Sequence, residues 1–166
     1  MPRAALRTLS ALFLCASAES FALAQDGQSF AIQNIASGKD LRPFGAKRHD
    51  GNPIILYDHH TWKCLTWTFR QAGPERFRLM NRYTSKGLNV TSAPAAGASL
   101  VQHGFPPESQ AWDFVAQPDG SYAIRLAGSN LFITAASSET NAPVTIEPFS
   151  GADSQKWRLI PQKPWF

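Results

Sequence analysis

Short apolar segments alternate with polar turns along the chain, and none of them has the period of an amphipathic helix. "FAIQNI" (30–35) alternates apolar and polar positions, "HDGNP" (49–53) is rich in turn residues, and "IILY" (54–57) and "LTWTF" (65–69) are short and mostly apolar. Runs of this kind, bounded by turn residues, are typical of strands that pack one face on a core. The pattern therefore predicts an all-β chain.

The same pattern returns at a fixed interval. Trp67, Trp112 and Trp157 are 45 residues apart. The segments that lead into the repeats run in parallel, each from an aromatic to an aliphatic residue: "FAIQNIASGKDL" (30–41), "FRLMNRYTSKGL" (77–88) and "YAIRLAGSNLFI" (122–133). A unit of about four short strands cannot bury its apolar face alone. We therefore expect three units to close around a shared axis, with the three tryptophans in the common core.

The first 24 residues have the composition of an export signal. Arg3 and Arg7 precede the apolar run "LSALFLCASA", and "ALA" supplies small residues before Gln25. The run is too short to span a bilayer, so we expect no membrane insertion. Cleavage near Ala24 and a secreted or periplasmic product are predicted. A lipid-attachment site at Cys15 is disfavoured, because Leu14 stands where a small residue is expected.

Residues 25–166 are then predicted to form one domain, with repeats at about 30–70, 77–116 and 122–161. Loss of the signal would leave Cys64 without an intramolecular disulfide partner. A small packed residue next to the Trp67 strand is the expected role of Cys64.

Two of the units end in a Gln-x-Trp motif, Gln110-Ala111-Trp112 and Gln155-Lys156-Trp157, and "SGKDL" and "SKGLNV" lie upstream in the first two units. In these features the chain resembles the ricin B-type lectin family, over about residues 30–160. The resemblance implies a β-trefoil with pseudo-threefold symmetry. The first unit departs from the motif, since Leu65 replaces Gln. Leu offers no amide hydrogen bonds, so this unit is expected to be looser or packed differently.

The resemblance also implies carbohydrate binding without catalysis, through one shallow pocket per unit. In the family an Asp accepts hydrogen bonds from sugar hydroxyls, an aromatic ring stacks on the sugar, and an Asn precedes the Gln-x-Trp motif. In the first unit these places hold Arg42, Tyr57 and Cys64, and Asp40 lies on the same strand face as Arg42. Arg42 is expected to favour a sugar with a carboxylate or sulfate. A plain ion pair between Asp40 and Arg42 is the alternative.

The loop after Tyr57, "DHHTW" (58–62), extends this candidate site. Asp58 and Trp62 are included, with Trp62 as part of an exposed aromatic platform; packing of Trp62 onto its own hairpin is the alternative. Adjacent histidines on a loop point in different directions, so His59 and His60 are interpreted as parts of a solvated polar loop, not as a zinc site. No metal and no cofactor are expected.

The other two units fit the family pattern less well. In the second unit the aspartate position holds Asn89, the stacking position is either Gln102 or His103, and Ser109 takes the Asn place. This unit is a second candidate site. The third unit is the weakest candidate, because its three places hold Thr134, Glu147 and Ser154, and the nearest aromatic residue is Phe149.

Charge and motifs argue against other classes of protein. The formal net charge of +4 is too small to imply a nucleic-acid partner. "FRQAGPERFRLMNRYTSK" (69–86) concentrates basic residues around Glu75; such a run is typical of a solvated face, with a polyanion site as the alternative. Paired carboxylates, a nucleophile with its base and a phosphate loop are not recognisable. We therefore do not expect an enzyme.

Two functions remain open. The favoured one is a secreted lectin-like module that binds a glycan or glycoconjugate. The other is a non-lectin interaction protein with a protein partner, such as a protease inhibitor or an accessory subunit resembling the lectin-like parts of cytolethal distending toxins. Sugar-binding residues should converge on a concave patch in each repeat, whereas an inhibitor would use one protruding loop.

Overall fold

The computed structural model describes residues 24–91, 93–105 and 109–163. The predicted signal, residues 1–24, lies outside these ranges except for Ala24. The described part of the chain contains twelve strands and three short 3₁₀ helices, at Phe44–Ala46, Lys63–Leu65 and Asp153–Gln155. The strands are β1 Ser29–Asn34, β2 Asp40–Pro43, β3 Ile54–Tyr57, β4 Trp67–Gly73, β5 Arg76–Asn81, β6 Gly87–Val90, β7 Leu100–His103, β8 Trp112–Ala116, β9 Tyr122–Leu126, β10 Leu131–Ala135, β11 Val144–Pro148 and β12 Trp157–Pro161.

Six strands close into a barrel. Strand β1 pairs with β4, β4 with β5, β5 with β8, β8 with β9, β9 with β12, and β12 returns to β1, all antiparallel. The remaining strands form the hairpins β2–β3, β6–β7 and β10–β11, one in each repeat. Closure leaves the six barrel strands without an unpaired edge. The predicted all-β trefoil is confirmed.

The three hairpins meet at one end of the barrel. Isolated bridges join Pro53 to Val101, Ile55 to Pro143, and Ser99 to Thr145, so that each hairpin contacts the other two. The turn of each hairpin therefore lies against the next repeat, and a ligand site on one hairpin can borrow residues from its neighbour.

The three equally spaced tryptophans lie in the core, as predicted. Trp67, Trp112 and Trp157 are fully buried. The indole Nε1 of each donates a hydrogen bond to the carbonyl oxygen of an aliphatic residue in its own repeat, at 3.0 to 3.1 Å, with Leu41, Leu88 and Ile133 as the acceptors. A buried indole N–H needs such a partner, and the backbone supplies it three times in the same way.

Leu65 packs differently from the glutamines of the other two repeats, which is one of the two predicted alternatives. In the second repeat Gln110 Oε1 accepts a hydrogen bond from the backbone N–H of Val90 at 2.6 Å. The residue that corresponds to Val90 in the first repeat is Pro43, two places after Leu41. Proline has no N–H, so the donor that Gln110 bonds in the second repeat is missing from the first. Leu65 is fully buried.

Candidate functional site

The register of the hairpins defines which residues are equivalent. Asp40 lies opposite Tyr57, Gly87 opposite His103, and Phe132 opposite Glu147. The stacking position of the second repeat is therefore His103, which settles the choice between Gln102 and His103.

Aromatic rings cluster on the hairpin and loop of the first repeat. The rings of His60 and Trp62 are stacked with centroids 4.2 Å apart, and the Tyr57 centroid lies 6.3 Å from that of Trp62. Tyr57 and Trp62 are half-buried and His60 is exposed. Trp62 thus packs beside its own hairpin while it still forms part of the platform, so both sequence interpretations of this residue hold in part.

Arg42 lies on this cluster. Its guanidinium carbon is 4.1 Å from the ring centroid of Tyr57 and 5.8 Å from that of Trp62, within the range of cation–π attraction. The Nε atom of Arg42 is buried and has no hydrogen-bond partner in the described part of the chain. One face of Tyr57 therefore holds a guanidinium, and the guanidinium is fixed by aromatic contacts.

Asp40 does not pair with Arg42. Its Oδ2 lies 2.7 Å from Nδ1 of His59, and Gln33 Nε2 donates to Oδ1 at 3.4 Å. The Asp40 carboxylate is fully buried, whereas His59 is about a third exposed. An incoming ligand would meet His59 before it met Asp40. Asp40 thus anchors the loop that carries His60 and Trp62.

Asp58 joins the first repeat to the hairpin of the third. Lys39 Nζ lies 2.6 Å from Asp58 Oδ1, and Thr140 Oγ1 donates to the same oxygen at 3.2 Å. The hydrogen bond from Lys39 lowers the pKa of the Asp58 carboxyl. Both contacts hold the start of the 58–62 loop in place at the rim of the site.

The fold buries two of the three predicted site residues of the second repeat and leaves one exposed. Gln102 is fully buried, and its Nε2 donates to the carbonyl oxygens of Lys47 and His49, both at 2.8 Å. Asn89 is also buried and bonds Gly87 and Gln110. His103 alone of the three predicted residues is exposed. Gln102 and Asn89 therefore hold backbone in place, and their polar groups are used within the protein.

Four further residues shape the first-repeat site. His59 and His60 belong to the predicted 58–62 loop, whereas Gln33 and Lys39 were not predicted. The histidines were interpreted as a solvated loop, although the adjacent Trp62 signalled an aromatic partner for one of them. Gln33 and Lys39 carried no signal beyond their closeness to Asp40 in the sequence. No cluster of three or more metal-ligating side chains occurs among residues 24–91, 93–105 and 109–163. In the same ranges no helix has the length and hydropathy needed to cross a membrane.

A family model described as a ricin-type β-trefoil lectin domain-like family matches residues 18–103 and 108–164. The chain belongs to this family. Carbohydrate binding is therefore supported at the level of the family. A comparison with curated protein sequences gives no significant match.

Solved structures of ricin-type trefoils have the same fold. The designed threefold-symmetric protein ThreeFoil is 27% identical, with a TM-score of 0.76 over 80% of this chain and 97% of its own. The ricin B-like lectin of Macrolepiota procera, solved in complex with lactose, is 22% identical, with a TM-score of 0.74 over 84% of this chain and 99% of its own. The Rhizoctonia solani agglutinin is 18% identical, with a TM-score of 0.76 over 84% and 99%.

The burial of Asp40 makes the stability of this ricin-type domain depend on pH. Burial raises the pKa of Asp40 from 3.8 to about 6, although the hydrogen bond and charge of His59 and the charge of His60 act in the opposite direction. The unfolded chain releases this proton near pH 4 and the folded chain near pH 6. The stabilising contribution of protonated Asp40 is therefore complete below pH 4 and is lost as the pH rises to about 6.

The difference in free energy of unfolding between wild type and Asp40→Asn isolates this effect, because other carboxylates cancel. Urea unfolding from pH 3.5 to 7.5 measures this difference. We expect wild type to lose stability relative to Asp40→Asn between pH 4 and 6, and the difference to stay constant above pH 6. A difference that stays constant, or that shifts in favour of wild type, would contradict the assignment.

Proposed function

We propose that the protein is an exported, non-catalytic lectin whose first repeat binds a saccharide that bears a carboxylate or sulfate. The main supporting observation is that Arg42 lies over the rings of Tyr57 and Trp62 and has no carboxylate partner among the described residues. A guanidinium forms two parallel hydrogen bonds with such an acidic group. The adjacent Trp62 and His60 rings offer an apolar surface to the CH-rich face of a sugar.

The surrounding charges support an acidic ligand. Asp40 is buried behind His59, and Asp58 is neutralised by Lys39, so neither carboxylate opposes an anion at Arg42. Asp58 and Thr140 place the hairpin of the third repeat at the rim of the site. His103 is the remaining exposed member of the second candidate site, and we assign it a minor role at most.

Titration with galactose, sialic acid and galacturonic acid, followed by tryptophan fluorescence or NMR shifts, tests the proposal. The site is shallow, so we expect millimolar to high-micromolar dissociation constants for the two acids and weaker binding of galactose. Tyr57→Ala should weaken acid binding about tenfold, since the support of Arg42 is lost, while Tyr57→Phe should retain it. Arg42→Gln should remove the preference for acids.

Arg42→Lys is the matched control for charge alone. It keeps the positive charge and loses the planar fork, so acid binding should fall nearly as far as in Arg42→Gln. Unchanged binding in Tyr57→Ala would place the site in another repeat. No response of wild type to any saccharide up to tens of millimolar would favour the protein-interaction alternative.

Export is proposed from the sequence of residues 1–24. The basic residues Arg3 and Arg7, the apolar run and "ALA" before Gln25 support cleavage near Ala24. The intact mass of the protein recovered outside the cytoplasm should match a chain that begins near Gln25. A product that retains residues 1–24, or that carries a lipid on Cys15, would contradict this proposal.

A further inference from the structure

Two arginines face each other on the outer wall of the barrel. Arg70 on β4 lies directly opposite Arg78 on β5 in the strand register. Like charges in directly opposed positions of an antiparallel pair are destabilising. Arg78 Nε donates to the carbonyl oxygen of Ser109 at 2.9 Å, which orients this guanidinium but leaves its charge uncompensated. The pair therefore costs stability within the protein itself.

A second row of charges continues the same surface. Arg76, Asp113 and Arg125 are register partners across β5, β8 and β9. Asp113 accepts hydrogen bonds from Arg76 Nε at 2.6 Å, Arg76 Nη2 at 3.2 Å and Arg125 Nη2 at 3.0 Å. One carboxylate thus orients two guanidinium groups, and both arginine side chains stay more than a third exposed. The four arginines, Arg70, Arg76, Arg78 and Arg125, are called the arginine strip below.

An aromatic pair lies at one end of the arginine strip. Phe132 on β10 is the register partner of Arg125, and its ring lies 4.9 Å from that of Phe149. Phe149 is 47% exposed, the highest value among the large apolar side chains of the described residues. From β4 to β10 the surface crosses four strand intervals of roughly 4.8 Å each, or about 19 Å. The surface is elongated and combines oriented guanidinium groups with an exposed ring.

We propose that the arginine strip and the Phe132–Phe149 pair bind an acidic polysaccharide chain, at a second site separate from the hairpin of the first repeat. Oriented guanidinium groups match carboxylates and sulfates with paired hydrogen bonds, and a row of them fits a polymer with repeated anionic groups. Phe149 offers a sugar ring an exposed apolar surface. Anionic groups of the ligand would also relieve the repulsion between Arg70 and Arg78.

The sequence showed only part of this surface. Arg70, Arg76 and Arg78 belong to the basic segment 69–86, but Arg82 and Lys86 of that segment are engaged elsewhere. Arg82 Nη1 donates to Ser29 Oγ at 3.5 Å, and Lys86 forms an ion pair with Asp50 at 2.8 Å. Arg125 joins the surface from another repeat.

Binding of dextran sulfate to the full protein, with neutral dextran as a control ligand, tests this proposal. The double variant Arg70→Gln/Arg78→Gln should bind dextran sulfate about tenfold or more weakly, as expected for lost charge-assisted hydrogen bonds. The slope of log affinity against log salt concentration should fall by about one to two. In the single variant Arg70→Gln the melting temperature should stay the same or rise, because the like-charge pair is removed while the bond from Arg78 to Ser109 is kept. A purely structural role of the pair would lower it.

Arg158→Gln is the control, since it removes one exposed arginine from β12 whose register partner is Gln33, not a residue of the strip. It should change the affinity less than twofold. Arg70→Gln/Arg78→Gln should leave the binding of galacturonic acid at the first-repeat site unchanged, so the two sites can be tested independently. An equal loss in Arg158→Gln would overturn the proposal in favour of net charge alone. If duplex DNA also bound wild type and lost affinity to the same extent in the double variant, the proposal would be overturned in favour of a nucleic-acid surface.

Discussion

Replacing Trp112 by Ala is expected to lower the free energy of unfolding by about 3 to 5 kcal/mol, the largest effect of any substitution considered. The indole is fully buried, and its Nε1 bonds the carbonyl oxygen of Leu88. Truncation opens a cavity in the core and removes that buried hydrogen bond. For a domain of this size the loss is a large share of the total stability.

Trp62→Ala is the control for this prediction, because it removes the same side chain from the surface of the first repeat. Its indole is only half-buried and stacks on the exposed His60. We expect a loss below about 1 kcal/mol. Urea unfolding of both variants measures the difference, and equal midpoints would contradict the placement of the threefold core.

Replacing Asn81 by Leu is expected to lower the free energy of unfolding by about 2 to 4 kcal/mol. Asn81 is fully buried, its Nδ2 donates to the carbonyl oxygen of Cys64, and its Oδ1 accepts from the backbone N–H groups of Tyr83 and Thr84. The amide thus joins the second repeat to the first. Leucine has a similar volume but leaves these buried groups without partners.

Asn130→Leu tests the same chemical change at an exposed position and should change the stability by less than about 0.5 kcal/mol. Chemical unfolding gives both values. A loss in Asn81→Leu no larger than that in Asn130→Leu would show that the joint between repeats does not depend on this amide.

The positions of the strands along the chain were predictable from local signals. The "IILY" segment coincides with β3, and the equal spacing of Trp67, Trp112 and Trp157 predicted their common burial. Local signals did not predict how Leu65 packs. Its repeat was expected to be looser or packed differently. Only the folded hairpin shows that Pro43 lacks the N–H that Gln110 bonds at the corresponding position of the second repeat.

The candidate site was predictable in place but not in arrangement. Tyr57, Arg42 and Trp62 lie together, as their strand and loop positions suggested. Asp40 was expected near Arg42, yet it bonds His59. Two side chains on one strand face share a surface, but the loop that folds over the strand decides which of them receives a partner.

By itself the sequence determined the all-β class, the threefold repeat and the buried tryptophans, because alternation and spacing are properties of neighbouring residues. Only the tertiary structure decided that Gln102 and Asn89 serve the backbone, and that Arg125 joins Arg70 and Arg78 on one wall. Hydrogen-bond partners and surface neighbours come from strands of different repeats, and closure of the barrel alone brings these strands together.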